Sequence, residues 1–201
     1  MASNTEIADI LRGYFPVDYK GTLLEVGAAH PTMISISYPL RSFGWNIISV
    51  EPNPEFINNF KEMGLPVLEY AACAEDKGTT TFKISPNSVS CSALEVKDGN
   101  YRDYNRIQGW TESDYRIIEV QALKLDTILQ KHHPDLQSID VLVIDTEGWE
   151  LEVLQGFDLK RFNPKVVCLE NLNESPTYIS YMVDVGYRLD RKEVQDEFYM
   201  R

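Results

Sequence analysis

Thr22-Leu23-Leu24-Glu25-Val26-Gly27-Ala28-Ala29 decides the fold. A short apolar run bounded by turn residues reads as a buried strand, and this one closes on an acid and a glycine. The pattern returns along the chain. Asn46 to Val50 ends in Glu51, Asp140 to Ile144 in Asp145, and Lys165 to Leu169 in Glu170-Asn171, while Val67 to Ala71 makes a further strand. Helical spacing fills the intervals. Residues 32–43 turn Met33, Ile34, Ile36, Ser37 and Leu40 inward, with Pro39 a defect that should kink or end the helix. Pro54 to Met63, 126–132, 147–155 and 177–185 are further helices, most of them stopped by glycine. Strands alternating with helices predict an α/β fold, a mostly parallel sheet with helices on both faces, and ligands at the carboxyl ends of its strands.

Working outward, Ser3-Asn4-Thr5-Glu6 is a capping box, and the helix it opens within residues 1–20 carries Ile7, Ile10, Leu11 and Tyr14. Thr79 to Ile84 and Ile117 to Leu125 alternate as two strands at a sheet edge, and Tyr187 to Leu189 with Glu197 to Met200 form an antiparallel terminal pair. Segment 85–116 is the least regular, the mark of a lid or acceptor-binding loop. It holds Ser88, Ser90, Ser92, Tyr101, Tyr104, Trp110 and Tyr115.

With 201 residues, 43% of them apolar, the chain has the length of one domain with a sizeable core, residues 1–201. Its net charge of −12 lacks the basic face that nucleic acid or an anionic membrane requires. No apolar run is long enough to span a bilayer, and the polar start is no signal peptide. Three cysteines (Cys73, Cys91 and Cys168) without C-x-x-C argue against a disulfide framework or structural zinc, and for a reducing, cytoplasmic setting.

Glu51 ends its strand 24 residues after Gly27, where a carboxylate accepts from both hydroxyls of a ribose. A dinucleotide would need G-x-G-x-x-G, but Gly27-Ala28-Ala29-His30-Pro31-Thr32 keeps only the first glycine, and Pro31 removes an N–H that a phosphate would use. An acid at Glu25 repels a pyrophosphate and suits a cation. A phosphate-free nucleoside with a positive tail is S-adenosylmethionine.

Several blocks resemble the FkbM family of S-adenosylmethionine-dependent O-methyltransferases: Glu25-Val26-Gly27-Ala28, Val50-Glu51-Pro52-Asn53-Pro54, Tyr70-Ala71-Ala72, Gly78-Thr79 with Phe82, Leu125-Asp126, and Ile144-Asp145-Thr146-Glu147-Gly148-Trp149-Glu150 onward to Gly156. They run in family order over about residues 22–172. Two positions depart from the family pattern: Glu25 stands for the usual Asp, and Pro31 for a second glycine. The resemblance implies a Rossmann-like class I methyltransferase fold with a seven-stranded sheet. It implies that Glu51 holds the ribose, Pro52 and Asn53 flank the adenine, Ala72 and Cys73 border its other face, and Glu25, Gly27 and Ala28 border the methionine part, with Asp145 beside the methyl.

Methyl transfer to a hydroxyl needs the acceptor proton removed, by a base or with help from a metal. Asp145, Glu147, Glu170 and His30 are the candidates, His30 because histidine exchanges a proton near neutral pH. Asp145, Glu170 and Asn171 on adjacent strand ends offer the oxygen ligands that Mg²⁺ or Mn²⁺ take. The family is linked to sugars and other hydroxyl-bearing metabolites, so a glycan hydroxyl is the first expectation. A non-sugar acceptor, or a non-catalytic binding module of the same fold, is the alternative. Only one short helix precedes the first strand, which fits a piece of a longer protein, for example one fused to a glycosyltransferase.

Overall fold

The computed structural model describes residues 4–33, 35–89, 92–97 and 99–201. Ser3, Ile34, Ser90, Cys91 and the side chain of Tyr101 therefore lie outside the described residues. The central sheet has strands β1 (Thr22–Val26), β2 (Asn46–Val50), β6 (Val141–Ile144), β7 (Val166–Glu170), β8 (Arg188–Glu193) and β9 (Asp196–Met200), in the order β2-β1-β6-β7-β9-β8. Four of these are parallel, and the β8–β9 hairpin closes one side antiparallel.

The sheet is six-stranded and mixed, not seven-stranded. The strand expected at 67–71 is cut to one parallel bridge between Leu68 and Val50. Pro66 has no N–H to extend that ladder. The chain then leaves for a second sheet, where β3 (Ala71–Ala72) pairs with β5 (Arg116–Leu123), and β5 pairs antiparallel with β4 (Gly78–Ile84). The strand pair expected at an edge thus belongs to its own sheet, with a small core of Ala71, Cys73, Phe82, Ile84, Val120 and Ala122.

Alternation along the central strands assigns the two faces. Leu24, Val26, Leu142, Ile144, Val167, Leu169 and Tyr199 pack against α5 (Leu125–His132), α6 (Glu150–Gln155), α7 (Leu159–Phe162) and α8 (Pro176–Asp184). Leu23, Ile47, Val141, Val143, Val166, Cys168 and Phe198 pack against α1 (Asn4–Gly13) and α2 (Ser37–Ser42). In α1, Ile7, Ala8 and Leu11 point inward.

Two helix starts differ from the sequence reading. Residues 31–33 form a turn, α2 starts only at Ser37, and Met33 is 76% exposed rather than inward. Pro39 then sits in the first turn, where its missing N–H would have had no intrahelical partner. Helix α6 starts at Glu150 instead of 147, because Glu147 (φ 57°) and Gly148 (φ 94°) take left-handed backbone. Segment 85–116 is more ordered than expected, with α4 (Asn100–Gln108) and a short 3-10 turn at Glu112–Asp114. The remaining helix, α3, spans Pro54–Glu62. Among the described residues no helix is long and apolar enough to cross a membrane.

Candidate active site

The α1/α2 face of the sheet carries acids at a single end. Continuing each strand's alternation, Glu25 follows Leu23, Glu51 follows Ile47 and Ser49, Asp145 follows Val141 and Val143, and Glu170 follows Val166 and Cys168. Antiparallel β9 delivers Asp196 opposite Glu170. A cavity of about 250 Å³ opens there. The acids on its wall are Glu25, Glu51, Asp145, Glu147, Glu170 and Asp196, and no Lys, Arg or His lines it among the described residues.

Glu51 is buried, yet it reaches the cavity. Its two oxygens accept from Ala29 N–H at 2.8 Å and Asn53 N–H at 2.7 Å. Burial outweighs these bonds and pushes the carboxyl up to about 7. A carboxylate has about four acceptor positions, so each oxygen keeps one for a ligand hydroxyl. Asn53 caps α3 by accepting from Glu55 N–H at 3.0 Å, and its amide donates to Ser88 O at 3.1 Å. Pro52, Phe56, Tyr70, Ala71, Ala72 and Phe82 complete a flat, largely apolar wall beside Glu51.

Glu25 is tied to α2. It accepts from Ile36 N–H (3.1 Å), Ser37 N–H (3.2 Å) and Ser37 Oγ (2.6 Å), while burial still raises it to about 7. Its first task is thus to fix the start of α2, although it also lines the cavity. Gly27 lines it too, at φ 81°, and a Cβ there would collide with the Asp145 carbonyl, its carbon only 2.8 Å away. What passes close to Gly27 is the end of β6.

Asp145 and Glu170 end adjacent strands, with carboxylate oxygens within 4.8 Å of each other. Burial, then the charges of Glu147, Asp196 and Glu150, hold Asp145 well above the usual carboxylate range. Gln195, on the turn between β8 and β9, donates to Glu170 at 2.7 Å.

The expected metal set is not assembled. Asn171 is turned away, donating to Ser175 O and Glu197 Oε1, both at 3.0 Å, and accepting from Ser175 N–H at 2.8 Å. Glu150 takes its place, with Asp145, Glu150 and Glu170 oxygens within 4.8 Å of one another. Yet Glu150 already accepts from Thr146 N–H (2.8 Å), Thr146 Oγ1 (3.2 Å), Gly148 N–H (3.1 Å) and Tyr178 Oη (2.6 Å). Three of these bonds fall on Oε1 and one on Oε2, so Glu150 clamps the 145–149 loop while Oε2 keeps an acceptor position.

Three more candidates sit off the cavity wall. His30 turns its Nδ1 to its own loop, accepting from Met33 N–H at 3.2 Å. Cys73 is fully buried in the second sheet's core and donates to Glu75 O at 3.0 Å, and burial raises its thiol pKa. Ala28 is 1% exposed, while its neighbour Ala29 reaches the cavity. The sequence reading gave no role to Trp149, Glu150, Gln195 or Asp196. Trp149 and Glu150 stood inside a quoted motif, but the other two lie on a hairpin whose pairing no local signal reveals.

Ser88, Val89, Ser92, Ala93, Leu94 and Tyr104 roof the cavity from segment 85–116. Trp110 stands edge-on to Tyr104, and Tyr115 donates to Asn105 at 2.9 Å, so these two aromatics brace the roof. Trp149 faces the same space, fixed by its indole N–H on Glu95 O (2.9 Å) and by Lys97 Nζ 4.1 Å from its ring centre.

This fold and cavity define an α/β domain with an acid-lined recess at the carboxyl ends of its strands. The methyltransferase FkbM domain matches residues 25–189, and the chain belongs to that family. Membership implies S-adenosylmethionine as the methyl donor. Methyltransferase sdnD of Sordaria araneosa is 29% identical over 143 residues, 61% of this chain and 55% of that protein, so the match spans about half of the relative's length. Among solved structures, precorrin-6y C5,15-methyltransferase from Geobacter metallireducens GS-15 aligns over 96% of this chain and 85% of that one, with a TM-score of 0.46 and 12% identity.

Proposed function

We propose that this chain transfers the methyl group of S-adenosylmethionine to a hydroxyl of a sugar in a glycan or glycoconjugate. The observation that carries this reading is the acid-lined cavity, without Lys, Arg or His among the described residues on its wall, in which Glu51 keeps acceptor capacity for a ribose. When bound, the donor supplies an electrophilic methyl on a positively charged sulfur. Glu51 binds the ribose hydroxyls. Pro52, Asn53, Phe56, Tyr70 and Ala72 enclose the base, and Gly27, Ala29 and Glu25 border the tail. Asp145 and Glu170, side by side at adjacent strand ends, are the acceptors for the hydroxyl proton, with Gln195 orienting Glu170. Tyr104 and Trp149 offer flat faces to the C–H side of a sugar ring, and the roof excludes water.

Isothermal titration with S-adenosylmethionine and S-adenosylhomocysteine tests the first half, and Glu51→Ala should weaken both by about tenfold, the loss of a charge-assisted hydrogen bond. Transfer of labelled methyl to a panel of saccharides, with Mg²⁺, Mn²⁺ or a chelator, tests the second. If neither ligand binds, the reading is wrong. Binding with no transfer to any hydroxyl compound would make the chain a non-catalytic module.

A further inference from the structure

Asn53 lies in the wall beside Glu51, yet its side chain is spent on two other elements. It is 1% exposed, and its own N–H donates to Glu51 Oε1 at 2.7 Å. Its Oδ1 caps α3 on Glu55 N–H at 3.0 Å, which fixes the amide plane and leaves Nδ2 to donate to the Ser88 carbonyl, 3.1 Å away. Ser88 is a non-glycine residue in left-handed backbone, φ 62°, a conformation that persists only where surrounding bonds hold it. Within the turn, Ser88 N–H donates to Ser85 O at 2.9 Å and Val89 N–H to Asn87 Oδ1 at 3.0 Å, and Asn53 grips the turn from outside. Farther along, the roof is fastened to other elements: Ala93 pairs with Lys83 of β4, and Glu95 O accepts from the Trp149 indole. Asn53 thus ties the wall of the donor to the roof of the acceptor space.

We infer that Asn53 is a positioning residue that couples the two halves of the site: a nucleoside on Glu51 steadies Asn53, and Asn53 steadies the roof at Ser88, a step that rests on the methyl-donor reading above and deepens it. A ligand that touches Pro52 and Asn53 on one side and Ser88, Val89 and Ala93 on the other keeps all of these contacts when wall and roof are tied. Binding therefore shifts the population toward the tied form and away from local opening of the roof. The coupling is reciprocal, so a roof held down by Asn53 also holds the donor.

The test is residue-resolved amide hydrogen exchange of the intact chain, with and without S-adenosylhomocysteine at a concentration that isothermal titration shows to be saturating. Exchange is read at Ser88, Val89 and Ala93 in the roof and at Ile57 and Phe60 in α3. In the parent the ligand should slow roof exchange at least about tenfold. Asn53→Asp keeps an oxygen for the α3 cap but has no donor for Ser88 O. In that variant the ligand should slow roof exchange by less than about threefold, while α3 exchange stays within about twofold of the parent. Asn53→Ser also caps a helix and is too short to reach Ser88, so it should behave alike, and it carries the same comparison if Asn53→Asp does not fold. Undiminished roof protection in these variants, or a parent roof that the bound ligand leaves unprotected, would overturn the inference and leave the methyl-donor reading standing. Equal loosening of α3 and the roof would make Asn53 a helix cap alone and would also overturn it. No binding of S-adenosylhomocysteine by the parent would overturn both.

Discussion

Replacing Gly27 by alanine tests how β1 and β6 meet at the cavity. Gly27 has φ 81°, and its new Cβ would lie 2.8 Å from the Asp145 carbonyl carbon and closer still to the oxygen. The left-handed backbone alone costs an alanine about 1–2 kcal/mol. Backbone on both sides cannot swing away like a side chain, so overpacking adds about 2 kcal/mol. Gly64 is the control, at φ 65° with nothing within 4 Å of its Cβ, so Gly64→Ala carries the backbone cost alone. With a urea slope of about 2 kcal/mol/M, the midpoint should fall by about 1.5–2 M for Gly27→Ala and about 0.5–1 M for Gly64→Ala. The carbonyl that must move belongs to Asp145, so Gly27→Ala should also weaken S-adenosylhomocysteine binding by calorimetry, and Gly64→Ala should not. Equal midpoint shifts in the two variants would refute the close approach of the two strand ends.

Glu25 and Glu51 both stand near 7 in the folded chain against a reference of 4.5, so the fold keeps protons that the unfolded chain has released between those values. Stability should therefore fall as pH rises through that window, by about 3 kcal/mol per group at most, and level off above it. Urea midpoints should be higher at about pH 5.5 than at about pH 8, with a shallower slope in Glu25→Gln, and a midpoint that climbs with pH would contradict this. Glu150→Ala leaves Thr146 N–H, Gly148 N–H and Tyr178 Oη without their acceptor, at a cost of about 4 kcal/mol in total, whereas Glu150→Gln keeps an acceptor oxygen and should cost about 1 kcal/mol. Thermal melts of the two variants would separate these values, and a shared small shift would show that the clamp is dispensable.

The strand ends were legible because each strand is a short apolar run that stops abruptly on an acid, and period-two alternation needs no tertiary knowledge. Glu51 and Asp145 were therefore placed at the cavity from local pattern. The strand at 67–71 was misread because its apolar content is right while its partner is wrong: Leu68 bridges to Val50, but Ala71 and Ala72 follow β5. Helix starts at 32 and 147 were set too early, since a polar or acidic residue ahead of an apolar run resembles a cap even where the backbone turns left-handed, as at Glu147. Asn171 has the right chemistry in the right register neighbourhood, but one residue along a strand reverses the face. Glu170 consequently lies beside Asp145 while Asn171 meets Glu197. Asp196 was out of reach because its place depends on an antiparallel hairpin that only long-range pairing defines.

The cavity draws Val26, Glu51 and Asp145 from one sheet and Ala71, Ala72 and Phe82 from the other. Any occupant is consequently a rivet across a seam. It couples two slabs of backbone that share Tyr70 and Ala72 in one core and meet near the Leu68–Val50 bridge. Occupancy should slow amide exchange along β4 and β5, whose amides lie outside the acidic cluster. By the same linkage, a substitution that merely loosens the seam would weaken grip on the nucleoside without touching a single polar contact.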